Sequence, residues 1–221
     1  MVNINSAISN TTPPYSVSIW EAIAIFAGAI FLIGVGVAGL GLKTLNNAFD
    51  PKRAEAIAQS LIEYNIPGGS EGTFGTNLGG AKVAVIASTQ KLPVLQPQVL
   101  PPSEIELFIA RIPINEVTTV DSEEEFSNEF FPGFSFSSQV EAAFKPLTSR
   151  TETRDFCGVP TQIIIQEGSL VLSDQTPPIP AVQYQARVVK NAERNVAVLS
   201  TAGQNAKENA AKVFESLKCK P

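Results

Sequence analysis

FLIGVGVAGLGLK, residues 31–43, contains Gly34-Val35-Gly36-Val37-Ala38-Gly39, which matches G-x-G-x-x-G. That glycine pattern marks dinucleotide-binding turns only when a strand precedes it, a helix opens at it and an acidic residue follows about 20 positions later. Here the preceding segment IWEAIAIFAGAIFLI is too long for a strand, and the following LKTLNNAFDP ends the apolar run. Residues 22–42 carry no charged side chain. At about 1.5 Å per helical residue, some twenty such residues cross the hydrocarbon core of a bilayer. The stretch is therefore read as part of a transmembrane helix over 19–43, behind a short tail over 1–18.

Around a helical wheel, Ala24, Ala27, Gly28, Gly34, Ala38 and Gly41 fall along one broad face. Small residues let membrane helices approach closely, so this face is a candidate for packing on other transmembrane helices. The plainer reading is that Gly and Ala are frequent in membrane spans. Trp20 and Tyr15 stand where interfacial anchors belong. A cleaved signal peptide would need a basic N-terminal region, and residues 1–18 contain no Lys or Arg. Lys43, Lys52 and Arg53 follow the run, so the positive-inside rule places the C-terminal part in the cytoplasm.

Composition narrows function. The chain has 221 residues, 17% of them charged, with a net charge of -5 and no histidine. The negative charge gives no electrostatic basis for binding nucleic acid. Lack of histidine removes the commonest general base and metal ligand. Cys157 and Cys219 are too far apart in sequence for a zinc site of ordinary spacing. They can pair outside the cytoplasm and should be reduced inside it. No catalytic constellation is recognisable, and no metal or cofactor is expected.

Beyond a joint over 44–50, the pattern predicts a separate soluble domain over 51–221. Asp50-Pro51 starts a helix, with Asp as cap and Pro at the first helical position. Ala54, Ile57, Ala58, Leu61 and Ile62 form its apolar face, and it ends near Tyr64. IPGGSEGTFGTNLGG lacks the Gly-Lys-Ser/Thr ending of a phosphate loop, so it predicts glycine turns around a short strand holding Phe74. AKVAVIAS (81–88) and ELFIARIPI (106–114) read as buried strands. In DSEEE (121–125), Ser122 and Glu125 form a capping box rather than a metal site. Residues 137–147 read as a short amphipathic helix through Val140, Ala143 and Phe144. Phe131, Phe134 and Phe136 follow no helical or clean strand pattern. They are a candidate contact surface for membrane, lipid or a partner protein.

SRTETRDFC, TQIIIQEGS, AVQYQARVVK and NVAVLSTA then read as strands; the first and third alternate strongly, as half-solvated strands do. A closing helix begins at Asn205, with Glu208 completing a capping-box-like pair. The fold class expected is α+β: a single N-terminal transmembrane helix, then an antiparallel sheet covered by helices.

The ending NVAVLSTAGQNAKENAAKVFESLK resembles the close of the PsbP-type fold, with a strand, a glycine-bearing turn and an amphipathic helix returning over the sheet. PsbP proteins are extrinsic subunits and assembly factors of photosystem II, so the resemblance implies an accessory role. It covers about the last forty residues and the order of elements, and implies no site residue. The anchor, the inferred cytoplasmic side and the absence of histidine depart from that family. The function expected is a non-catalytic accessory, assembly or interaction protein of a membrane complex, anchored by one span. Its partners are the bilayer and other transmembrane helices or subunits. The alternative is a tethered domain that binds lipid or an apolar small molecule.

Overall fold

Asp50 caps a helix that begins at Pro51, as the sequence predicts. In this computed structural model, which describes residues 46–93, 101–114, 143–172 and 177–220, its carboxylate accepts from the Lys52 and Arg53 backbone amides at 2.9 and 3.4 Å. Those are two of the donors that a helix start leaves without partners. The helix α1 (Pro51–Leu61) buries Ala54, Ala58 and Leu61. A two-residue strand, β1 (Ile62–Glu63), ends it.

Seven long strands follow: β2 (Ser70–Leu78), β3 (Ala81–Ser88), β4 (Ile105–Pro113), β5 (Ala143–Phe156), β6 (Val159–Val171), β7 (Ile179–Lys190) and β8 (Glu193–Ala202). Then come α2 (Ala206–Ser216) and β9 (Lys218–Cys219). The long strands make one antiparallel sheet in the order β2-β3-β4-β8-β7-β6-β5, and β1 pairs with β9. Two meanders, β2-β3-β4 and β5-β6-β7-β8, thus meet along the β4–β8 ladder, from Ile105↔Thr201 to Pro113↔Glu193.

Both helices cover the same face of the sheet. The α1 helix lies on β2 and β3, and α2 on β7 and β8. Alternate strand residues point into this layer: Ala84 and Ile86, Leu107 and Ile109, Ile163 and Ile165, Val182 and Tyr184, Ala197 and Leu199. On the opposite face Val85, Phe108, Ala110 and Val196 are also buried. The central strands are therefore apolar on both sides, which is why AKVAVIAS and ELFIARIPI read as continuous runs.

The α1 layer sits unusually close to β2. A Cβ on Gly72 would lie 2.3 Å from the Pro51 carbonyl oxygen, and one on Gly75 would lie 2.5 Å from Ala54 Cα. Backbone meets backbone here because Ala54 is small and those two residues have no side chain. Around them, Gly68, Gly69, Gly79 and Gly80 occupy positive φ in the flanking turns.

At the end of the sheet near Leu61, Arg111 gathers several chain segments. Its guanidinium donates to the Leu61 carbonyl at 3.1 Å, to the Lys220 carbonyl, and to Asn195 Oδ1 at 3.2 Å. The Glu193 carboxylate lies 3.6 Å away. Nearby, a disulfide joins Cys157, in the β5–β6 turn, to Cys219 in β9.

Several expectations are corrected. The fold class is overturned in its main feature, the α+β plan of an N-terminal transmembrane helix before a helix-covered sheet. Among the described residues no helix is long and apolar enough to cross a membrane, and the domain is built mostly of strand. An uncharged run of sufficient length is necessary for a span but does not by itself make one. Residues 19–43 lie outside the described residues. The helix expected over 137–147 is also replaced at its C-terminal end. Ala143 and Phe144 begin β5, in register with Val171 and Leu170, so strand pairing overrides their helical spacing. Asn205 precedes α2 but makes no side-chain cap hydrogen bond, and Glu208 pairs with Lys212 at 2.6 Å instead.

The close approach of α1 is testable. Gly75→Ala should destabilise the domain by about 1–3 kcal/mol, because the added methyl meets backbone that has nowhere to move. Urea unfolding measures this; a loss below about 0.5 kcal/mol, the size of an ordinary surface change, would mean that α1 shifts freely on β2.

Candidate functional site

The two edges of the sheet differ. Strand β2 is short, shifts register between Gly72 and Phe74, and carries α1 across its backbone. Strand β5 runs for 14 residues, and β6 is its one strand neighbour among the described residues. Most of β5 is exposed, including Ser149, Arg150, Thr151, Thr153 and Asp155. A bulge between Pro146 and Thr148 interrupts its beginning, and the ladder then runs unbroken from Thr148 to Phe156.

Geometry at the turn fixes which backbone groups are open. Cys157 and Gly158 have φ of 59° and 74°, as the two central residues of a type I′ turn require. The flanking pair Phe156↔Val159 is then the closing hydrogen-bonded pair, and hydrogen-bonded pairs alternate along an antiparallel ladder. Arg154, Glu152 and Arg150 therefore direct their backbone groups at β6. Asp155, Thr153, Thr151 and Ser149 turn theirs outward. Long flat edges with open groups of this kind are templates for another strand.

Side chains on the α2 side of this edge form a chain of charges. Arg150 Nε donates to Glu152 at 2.8 Å, and Arg150 also pairs with Glu167. Arg154 reaches Glu152 at 2.6 Å, and Lys207 of α2 reaches Glu167 at 3.0 Å. Arg154 also lies 5.4 Å from the centroid of Tyr184, which packs on Phe214. Hydrogen bonds from Arg150, then from Arg154, hold the Glu152 carboxyl below its usual range. Arg150 and Lys207 do the same for Glu167. The same two carboxylates raise Arg150. On the other face Ile164, paired with Thr151, is 42% exposed, and Leu147 is 80% exposed.

A second feature is a cavity of about 400 Å³ where β7 and β8 approach α2. Pro93, Pro177 and Pro178 line it with Glu104, Asn205 and Asn209. Its size is within the small-molecule range. It presents rigid apolar walls, amides and one carboxylate. Among the described residues no cluster of His, Cys, Asp or Glu could hold a metal ion.

Ala24, Ala27, Gly28, Gly34, Ala38 and Gly41, and likewise Phe131, Phe134 and Phe136, lie outside the described residues. The β5 edge was missed as a site. Its signal was the period-two alternation of Arg150, Glu152 and Arg154 with Thr151 and Thr153, which marks a solvated strand but not an outer one.

No family model and no curated protein matches the chain. Among solved structures, it is similar to the solution structure of cyanobacterial PsbP (CyanoP) from Synechocystis sp. PCC 6803. Identity is 12% and the TM-score 0.37, over 73% of this chain and 94% of that one. The domain thus has a weak fold-level resemblance to the PsbP-type fold. The likeness carries no residue role or partner to this chain.

The carboxylate shifts give a pH dependence. Both groups bind protons less readily folded than unfolded, so their contribution is present above the ordinary carboxylate pKa of about 4.3 and is lost as pH falls below it. Melting temperatures between about pH 5 and 3 should fall less steeply for a Glu152→Gln, Glu167→Gln double variant than for the unaltered chain. Equal slopes would show that these ion pairs are screened out.

Proposed function

We propose that this domain is a non-catalytic accessory or assembly subunit of a membrane complex, and that it engages its neighbour along the open edge of β5. One observation carries the reading: an outer strand of 14 residues, exposed over most of its length, with a single strand neighbour among the described residues. Proteins usually blunt such edges with bulges, prolines or like charges. Here Pro146 and the bulge guard one end only, and the charges beyond them are of both signs. An edge of mixed charge accepts a complementary strand. The uncharged run over 22–42 is what makes the complex a membrane one in this reading; no spanning helix is invoked.

The Cys157–Cys219 disulfide supports an oxidising compartment. In this reading the domain lies outside the cytoplasm, on the side opposite to that expected from Lys43, Lys52 and Arg53. Lys52 and Arg53 belong to the first turn of α1, so their charges are part of the domain surface and are weak reporters of orientation. The bond closes a separation of 62 residues. Chain entropy makes such a closure worth about 4 kcal/mol. Purified chain should show no reactive thiol, and reduction should lower its melting temperature by roughly 10 °C. Two free thiols in chain taken directly from its native compartment would count against this localisation.

The edge itself is tested by capture. Tagged full-length chain, extracted in mild detergent, should bring down companions at a fixed ratio. Thr151→Lys, exposed on the edge, should reduce that yield about tenfold, while Lys52→Ala on α1 should leave it unchanged. A chain that comes down as a lone monomer, or a Thr151→Lys variant that captures fully, overturns the reading.

A further inference from the structure

We infer that the strand pairing with β5 is β5 of a second copy of this chain, antiparallel to it about a two-fold axis at Thr151. This rests on reading that edge as the contact surface, and names its occupant. The two sheets would then run on as one.

Three constraints select the register. The outward backbone groups of Ser149, Thr151 and Thr153 must meet one another, which sets the axis at one of these residues, as a hydrogen-bonded pair, or at a residue between two of them, as a non-hydrogen-bonded pair. Charge comes next. An axis at Thr151 sets Arg150 opposite Glu152 of the second copy and Glu152 opposite its Arg150, on the same face of the joined sheet. Directly opposed unlike charges favour a strand pair, and like charges oppose it. Moving the axis one residue, to Glu152, would oppose Glu152 to itself and Arg150 to Arg154. Moving it to Ser149 would leave all three charged residues without an opposed charge and draw in the bulge at Pro146–Thr148.

Opposed neighbours decide between the remaining two. An axis at Thr153 also opposes Glu152 to Arg154, but it sets Arg150 opposite Phe156, which is buried at the hairpin turn. An axis at Thr151 gives the same seven regular pairs, from Thr148 to Arg154, and sets Arg154 opposite Thr148. It also sets Thr151 against its copy and Ser149 against Thr153, all β-formers or small hydroxyl residues that fit between strands. Arg150, Glu152, Arg154, Glu167 and Lys207 of both copies would join in one alternating network.

Cysteine cross-linking of full-length chain tests the inference in any detergent. In a hydrogen-bonded pair at the axis the two Cα atoms lie about 5.5 Å apart, within disulfide reach. Thr151→Cys should therefore give a covalent dimer on mild oxidation. Ser149→Cys should not, since its two copies would be roughly 14 Å apart along the strands. Thr151→Lys, which sets two ammonium groups at the axis, should abolish chemical cross-linking of otherwise unaltered copies. Equal dimer from Thr151→Cys and Ser149→Cys, or none from either, overturns the inference. If none forms while Thr151→Lys still loses its captured companions, the second copy is wrong and the edge reading stands. If capture is also undiminished, both fail.

Discussion

One guanidinium ties the two halves of this sheet together. Arg111 sits on β4, on the ladder where the two meanders meet, and reaches the end of α1 at Leu61, Asn195 on β8 and the backbone at Lys220. The Leu61 carbonyl is one of those that a helix end leaves without an intrahelical partner. A planar fork of fixed donors can serve several acceptors at once, which an ammonium on a flexible stem does poorly. Lys220 completes the junction by donating its own amide to Leu61 at 2.9 Å. The β1–β9 pairing and the disulfide lie next to it, so the closing segment is fastened by charge, ladder and covalent bond within a few residues.

Much of the fold was legible where local chemistry decides it. Asp50-Pro51 starts a helix because both residues favour that position. The runs 81–88 and 106–114 read as strands because both of their faces are covered. Glycines were legible in part. Those at positive φ announced turns, but Gly72 and Gly75 serve another end, the seat of Ala54 against β2, and composition does not separate the two uses. At 143–147 a helical spacing misled, since the partners that make those residues a strand lie at 168–171, beyond a turn. Length and apolarity of the N-terminal run suggested a span, and they are properties of composition alone.

The site was less legible than the fold. Alternation in SRTETRDF shows a strand with one polar face, yet whether a strand is outermost depends on the order of all the others. That order hinges on β4 pairing with β8, residues some ninety positions apart, for instance Leu107 with Leu199. Nothing local encodes it. The two cysteines posed the same difficulty: their separation in sequence hid that the β5–β6 turn and β9 are neighbours.

The β4–β8 seam has a consequence for how the domain can be taken apart. Every other ladder of the large sheet lies wholly within 46–114 or within 143–220, and each part has its own helix. The disulfide lies entirely in the second part. A chain severed between 114 and 143 would keep every strand pairing among the described residues, while the seam would cease to be intramolecular. The domain is in this sense a complex of two fragments written as one polypeptide. Their mutual affinity would reside in the nine residue pairs of the β4–β8 ladder, the β1–β9 bridge, the reach of Arg111 and the apolar layer that both parts share beneath the helices.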